Sequence, residues 1–299
     1  MNLNTIIKRS IDLHAHVGPE IIPRKFDLER LLKYEQKKIA GIGIKNHFFP
    51  TVAMQKMGVT AKKPLIIHSV TLNNYVGGFN PKIIQAAAKL SANRIIVWFP
   101  TLSAKRFLSN QKYEIPPEWI SVDPKRNIKN ILDKTRDAQA LSIFTAGEKN
   151  IRKEVLKVLQ TIKKHDAILA TGHISWQESR ELIKIAVKKF KIKRVIITHP
   201  IYQKINMPIE IQKELANIGA FIEHSYSMSS IDGISIDKIV EQIRSVGADN
   251  CILTSDVGQI FSPSPSKALT KFAKLLLKKG ITDKELKKML IFNPKILIL

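Results

Sequence analysis

Asp12-Leu13-His14-Ala15-His16 sets two histidines two residues apart behind an aspartate, on a short run that begins at Ile11. Residues i and i+2 of a β-strand point to the same face, so His14 and His16 can grip one ion together. The histidines that follow repeat the placement. His47 comes after Ile42-Gly43-Ile44, His68 after Leu65-Ile66-Ile67, and His173 after Ile168-Leu169-Ala170. His199 comes after Val195-Ile196-Ile197 and His224 after Ala220-Phe221-Ile222, and Thr254-Ser255-Asp256 closes the series with a carboxylate. Seven of the 8 histidines thus sit where a predicted strand hands over to a loop. His165, in Lys164-His165-Asp166, falls instead at a predicted helix end, where its charge complements the helix dipole. Histidines scattered by chance do not choose strand ends so consistently. The series predicts a metal-centred site on the rim of a barrel.

Working outward, short β-branched runs alternate with longer segments of helical period, the pattern of parallel strands joined by helices. Eight strands are predicted, near residues 11–16, 42–46, 65–70, 94–99, 167–172, 194–199, 220–224 and 251–255. Leu28 to Ile39 carries Leu28, Leu31, Leu32 and Ile39 among lysines and glutamates, and Ile151 to His165 repeats Val155, Leu156, Leu159 and Ile162. Glu178 to Phe190 and Ile236 to Val246 behave the same way. Gly41, Gly219 and Gly247 each follow a predicted helix, where a left-handed cap favours glycine. A (β/α)8 barrel takes roughly 250 residues. The predicted fold class is therefore α/β, a (β/α)8 TIM-type barrel, with residues 1–299 as one domain.

One interval breaks the rhythm. Between Pro100 and Asn150 lie Pro116-Pro117, Asp123-Pro124 and two short strand-like pieces, Trp119 to Val122 and Ser142 to Thr145. A connection this long inside a compact domain is usually functional or a small insertion with its own structure. Following strand four, residues 101–150 are expected to form an inserted loop or lid on the catalytic face, with an edge hairpin as the alternative.

Composition narrows the chemistry. The single cysteine, Cys251, rules out a disulfide framework and disfavours a thiolate site, so any metal is held by nitrogen and oxygen. Met1 to Arg9 lacks the apolar segment of a secretory signal, and no stretch approaches the ~20 apolar residues of a membrane span, so a cytoplasmic protein is expected. The 49 lysines and arginines outnumber the 25 aspartates and glutamates, for a net charge of +24. Such a basic protein is drawn to polyanions, and a nucleic-acid partner is permitted. It is not the favoured reading. Lys188-Lys189, Lys278-Lys279 and Lys287-Lys288 read as solvated helix faces, and no basic run is long or interleaved with aromatics.

In a barrel of parallel strands, the C-terminal strand ends converge on the axis. His14, His16, His173, His199 and Asp256 are expected to meet there. Neutral imidazoles and a carboxylate suit Zn²⁺, with Mn²⁺ or Fe²⁺ as alternatives. Asp256 is the candidate proton manager, as ligand, base or both. For His47 and His68, ligand, substrate contact and structural hydrogen bonding all stay open. Strand alternation turns only one of Glu223 and His224 inward, and His224 is the one expected there. Arg24, Lys25 and Lys45 near the mouth would suit a carboxylate or phosphate on a small substrate, with Asn73-Asn74 and Gln259 as weaker candidates.

The order of these residues resembles that of the amidohydrolase superfamily of metal-dependent hydrolases: His-x-His on strand one, histidines on strands five and six, and an aspartate on strand eight. The resemblance spans nearly the whole chain, to Asn293-Pro294. More narrowly, the chain is similar to an uncharacterised family of amidohydrolase-like barrels. That likeness rests on Asp12 to Pro19, Pro23-Arg24-Lys25, Lys45-Asn46-His47, Thr171-Gly172-His173 and Ser255-Asp256-Val257-Gly258-Gln259. Two-metal members of the superfamily carry a bridging lysine carbamate or glutamate at the end of strand four. Val97-Trp98-Phe99-Pro100-Thr101 offers neither. One ion held by His14, His16, His173 and Asp256 is therefore favoured, with His199 free to polarise the substrate. A second ion completed by Lys45 or His47 is not excluded.

What the resemblance implies is a hydrolase that activates water against an amide, cyclic amide, ester or lactone. A metal-dependent phosphoesterase is the second reading. Polymerase-and-histidinol-phosphatase-like barrels open with the same Asp-x-His-x-His, but usually end with Asp-x-His where this chain has Asp256-Val257-Gly258. A non-catalytic nucleic-acid-binding barrel is the third, and the intact histidine set argues against it, because buried polar groups are costly to keep without a role.

Overall fold

Strands buried on both faces need apolar residues on both sides of the pleat, and runs such as Ile168-Leu169-Ala170 and Val195-Ile196-Ile197 supply them. The computed structural model describes residues 2–20, 22–54, 64–109, 140–145, 147 and 150–299. Among these the strands are β1 (Ile11–His16), β2 (Gly41–Lys45), β3 (Leu65–Ile67), β4 (Ser69–Thr71), β5 (Ile96–Trp98), β6 (Ile168–Ala170), β7 (Val195–Ile197), β8 (Phe221–Ser225) and β9 (Cys251–Thr254). All pair in parallel, in the orders β1-β2-β3 and β4 through β9.

The third predicted strand is thus two pieces, broken at His68. On one side of the break β3 pairs with β2; on the other β4 pairs with β5. Hydroxyl groups span the gap, with Ser69 Oγ donating to the Ile44 carbonyl at 2.7 Å and Thr71 Oγ1 to the Asn46 carbonyl at 2.8 Å. The other join lies between β9 and β1. The Asp256 N–H donates to the His14 carbonyl at 2.7 Å, the His16 N–H to the Val257 carbonyl at 2.7 Å, and Ala15 bridges Val257. With these two joins the strands form the (β/α)8 barrel.

Side chains sort into two layers. Ile11, Leu13, Ile67, Ile96, Trp98, Ile168, Ala170, Ile196, Phe221 and Ile252 pack inside the barrel with Leu297 of the last helix, Asn293–Ile298. The alternate residues pack outward against the helices, as Val97, Leu169, Val195 and Leu253 do. The helices follow from amphipathic sequences. Lys153–Lys164 buries Val155, Val158, Leu159 and Ile162, and Trp176–Lys188 opens with a capping box between Ser175 and Glu178. The helix expected over 28–39 stops at Glu35, because Lys37 takes a left-handed φ of 63°. Gly41, expected as a helix cap, is instead the first residue of β2.

After β5 the chain makes the helix Lys105–Ser109 and returns at 140. Pro116-Pro117, the piece Trp119 to Val122 and Asp123-Pro124 lie outside the described residues. The second strand-like piece, Ser142 to Thr145, makes only isolated bridges around it, Ala104 with Leu141 and Phe144 with Ile151. It is held by Glu178, which accepts hydrogen bonds from Ser142 Oγ at 2.7 Å and the Ile143 N–H at 2.9 Å. No described helix is long and apolar enough to cross a membrane.

Candidate metal centre

The register of β1 against β2 slips between Asp12 and Ala15. Such a bulge re-aims side chains and is common beside functional sites. Here Leu13 joins the inner apolar layer, Ala15 and Val17 turn outward, and both His14 and His16 aim at the top of the barrel. Their Nε2 atoms converge on one oxygen, Asp256 Oδ1, at 3.1 Å from His14 and 3.0 Å from His16. One ligand atom from each of the three residues lies within 4.8 Å of the others.

Asp256 is held in a conformation that non-glycine residues seldom adopt, with φ 49°. Left-handed backbone costs of order 1–3 kcal/mol and persists only where the surroundings fix it. Those surroundings are the bond from its N–H to the His14 carbonyl and the one its Oδ2 accepts from Ser227 Oγ at 2.7 Å. Two residues on, a Cβ at Gly258 would fall 2.5 Å from the Cβ of His16, so glycine is required for the close approach.

Behind the first layer stands Glu223. Its Oε1 lies 2.8 Å from His14 Nδ1 and accepts from Thr254 Oγ1 at 2.8 Å, while Oε2 accepts from the His199 N–H at 3.2 Å. A carboxylate on the far nitrogen of a histidine fixes the ring and its tautomer. Asp12 Oδ1 accepts from the backbone N–H groups of His14 at 3.1 Å and Ser255 at 3.0 Å. Beneath His14 lies the ring of Trp98, 4.4 Å away centroid to centroid. The Lys45 ammonium is 4.3 Å from the Trp98 ring centroid, and its Nζ is 3.1 Å from His14 Nε2.

His173 and His199 complete the ring of histidines, their centroids 5.1 Å apart, with Tyr202 5.4 Å from His199. His199 Nε2 is 4.0 Å from Asp256 Oδ2. The His47 ring lies tilted against His16, centroids 4.8 Å apart, and its Nδ1 meets Thr101 Oγ1 at 2.9 Å. A cavity of about 290 Å³ opens over this floor, walled by Arg24, Phe107, Tyr202, Lys204, Met228 and Asp232 among others.

Burial sets the charge states. It holds His173 and His47 well below the ordinary imidazole range, helped by neighbouring histidines and Lys45, and His199 at about 4. Burial does the same to His16, with Arg24 next in effect. These rings are neutral, as metal ligands must be. Burial alone would raise the Asp256 carboxyl, but His14 and His16 more than reverse this and hold it well below the usual carboxylate range. Glu223 is likewise lowered, burial being outweighed by His14. Burial brings Lys45 down to about 8 despite the nearby Asp256 and Glu223, and raises Asp12 and Asp232 to about 7.

The donor set fits a divalent ion. Ligand atoms bonded tetrahedrally at ~2.0–2.1 Å stand ~3.4 Å apart, near the 3.1 Å and 3.0 Å that separate His14 Nε2 and His16 Nε2 from Asp256 Oδ1. The Nδ1 atoms of His16, His173 and His199 are buried without hydrogen-bond partners. Buried polar groups are rarely left so, and a His173 ring turned with that nitrogen towards an ion would answer one of them.

Of the residues expected at the site, His14, His16, His173, His199 and Asp256 are brought together, with Lys45 and His47 touching the group and Arg24 in the cavity wall. His68 lies away from the wall, at the break between β3 and β4, with its Nδ1 3.4 Å from Thr51 Oγ1. His224, expected inward, faces the other way. Phe221 points into the barrel, so alternation along β8 sends Glu223 in and His224 out, where both its ring nitrogens lack hydrogen-bond partners. Burial holds that ring at about 4. Glu20, not foreseen, lies against His16 and His47. The signal for Glu223 was the phase set by Phe221; for Glu20, in a loop, no periodicity could have found it.

The model of a family described as a family of unknown function (DUF6282) matches residues 9–223, more than half of the chain. The chain belongs to that family. The DUF6282 match ends at Glu223, so Ser227 and Asp256 lie beyond it. Among curated proteins none matches. Among solved structures, an amidohydrolase from Pseudomonas aeruginosa is similar with a TM-score of 0.61, at 11% identity over 99% of this chain and 98% of that one. Dihydroorotase from Campylobacter jejuni gives 0.51 at 12% identity over 96% and 82%. A TatD homologue from Escherichia coli K12 gives 0.50 at 12% identity over 98% of each. At these identities the likeness is one of fold: this DUF6282 chain has the barrel of the amidohydrolases.

Proposed function

We propose that the protein is a metal-dependent hydrolase that acts on the carbonyl carbon of an amide, cyclic amide, ester or lactone in a small molecule. Its cofactor in this reading is one divalent ion, zinc in the first place. The observation that carries the reading is the convergence of His14 Nε2 and His16 Nε2 on Asp256 Oδ1, with Glu223 fixing His14 from behind. His14, His16 and Asp256 would hold the ion, with His173 as the further donor on the adjoining wall. When bound, the ion supplies Lewis acidity, lowering the pKa of a water towards ~7 and polarising a carbonyl oxygen.

The chain's own groups do the rest. Asp256 stays ionised, and Oδ2, steadied by Ser227, accepts the proton of the attacking water. His199 stays neutral, and its Nε2, 4.0 Å from that same oxygen, is placed to donate to the carbonyl oxygen as charge develops there. Ile22, Leu102, Phe107 and Met228 give the cavity an apolar side that takes the substrate's hydrocarbon part and keeps water out. Lys204 and Arg24 in the same wall suit an anionic group on the substrate.

Elemental analysis of protein purified without chelator or added metal tests the reading. Bound zinc, manganese or iron, lost in His14→Ala, is the expected result, followed by turnover in a panel of lactones, esters and cyclic amides. Absence of metal that reconstitution cannot restore would overturn it. Turnover of phosphate esters alone would replace it by the phosphoesterase reading.

A further inference from the structure

Resting on the hydrolase reading, we propose that the centre takes a single ion because a cation of the protein, the Arg24 guanidinium, already holds the carboxylate that a second ion would need. The barrel mouth holds two donor groups. One is His14, His16 and Asp256; the other is His16, Glu20 and His47, whose ligand atoms also lie within 4.8 Å of one another. Because the groups share His16, they lie side by side, as the two halves of a two-metal centre do.

Their donors are in different states. In the second group both Glu20 oxygens are engaged: Oε1 accepts from the His47 N–H, and Oε2 from Arg24 Nε. The Glu20 and Arg24 side chains are 0% and 2% exposed, so this is a buried ion pair. An ion entering here would have to displace the guanidinium from Glu20, and an unpaired buried charge is strongly destabilising. His47 has one ring nitrogen committed to Thr101.

Lys45 stands against the first group: it is fully buried, seated on the Trp98 ring, with its Nζ 3.1 Å from His14 Nε2. Asp256 of that group meets His16 Nε2 and Ser227 Oγ, whereas the Glu20 carboxylate of the second group is already paired to Arg24.

Arg24 and Lys45 are then fixed positive charges next to an exchangeable one. A chelator removes the ion and leaves the rest of the positive field that an anionic substrate meets.

The test loads chelator-stripped protein with excess Mn²⁺ and reads equilibrium dialysis together with electron paramagnetic resonance. Wild type is expected to bind one Mn²⁺ and give the spectrum of an isolated ion. Arg24→Gln is expected to admit a second Mn²⁺ and give the exchange-coupled spectrum of a pair. Arg24→Lys, which keeps the charge, is expected to remain at one. A coupled pair in wild type overturns the proposal and spares the hydrolase reading, and this arm needs no variant to fold. A single ion in wild type and in Arg24→Gln also overturns it. No tight Mn²⁺ in any of the proteins removes the hydrolase reading and this inference together.

Discussion

His14 Nδ1 and Glu223 Oε1 lie 2.8 Å apart with both side chains sealed from solvent, at 0% and 1% exposure. That contact leaves Nε2 as the only ring nitrogen of His14 that can face Asp256. Glu223→Gln keeps the shape but loses the charge that orients the ring and raises its basicity. Competition against a chromophoric chelator is expected to show metal affinity about 10- to 100-fold weaker, with the circular dichroism spectrum unchanged. Unaltered affinity would reduce Glu223 to a structural acceptor for Thr254 and the His199 N–H.

Asp256 separates two effects that are normally confounded. Asparagine tolerates left-handed backbone better than alanine does, because its side chain bonds locally. Asp256→Asn is therefore expected to keep most of the fold while removing the proton acceptor, lowering turnover by about 10²–10⁴-fold. Asp256→Ala adds backbone strain and loses the bond from Ser227 Oγ, so denaturant titration is expected to find it less stable than Asp256→Asn by about 1–2 kcal/mol.

Gly258→Ala brings a methyl group 2.5 Å from the Cβ and carbonyl oxygen of His16. Something has to move, and the clash is with a candidate ligand. Overpacking of this type costs about 1–3 kcal/mol, and loss of metal affinity is expected to accompany the loss of stability. A variant with normal stability and normal metal content would show that the loop after Asp256 can be redrawn freely.

Acid lability follows from the buried imidazoles. His199 and His224 are held at about 4 in the folded protein against 6.5 when unperturbed, chiefly by burial. As pH falls, the unfolded chain takes up these protons first. The stability they contribute is complete above 6.5 and is lost as pH falls towards 4. Denaturant titrations of the metal-free protein across that window are expected to lose up to about 1.4 kcal/mol per pH unit for each such histidine. His224→Leu removes one of them away from the centre and is expected to flatten the profile; an identical slope would mean that His224 is not held neutral.

Much of the architecture is legible in the sequence because burial on both faces demands apolar runs, and the histidines mark where those runs end. What escaped is what periodicity does not encode. The third strand reads as one run from Leu65 to Val70, yet the ladder changes partner at His68, and hydroxyls of Ser69 and Thr71 complete it. The choice between Glu223 and His224 depends on the phase of β8, set by Phe221, which a two-residue comparison cannot supply. Glu20 escaped because it comes from a loop, and its importance lies in contacts with His47 and Arg24 that only the folded chain creates.

The last join of the barrel is made by the same residues that form its chemistry: Asp256 donates to the carbonyl of His14, and His16 donates to the carbonyl of Val257. An ion gripped by these side chains acts as a clasp on the first and last strands. Ligands that bind only the native state add stability by mass action, ~4 kcal/mol at a thousandfold excess over Kd. Here that gain would be delivered at the seam joining the two ends of a sheet whose other strands follow one another in order. Stripping the centre would therefore loosen the ring at its closing seam, and loading it would tie the beginning of the chain to residues some 240 positions later.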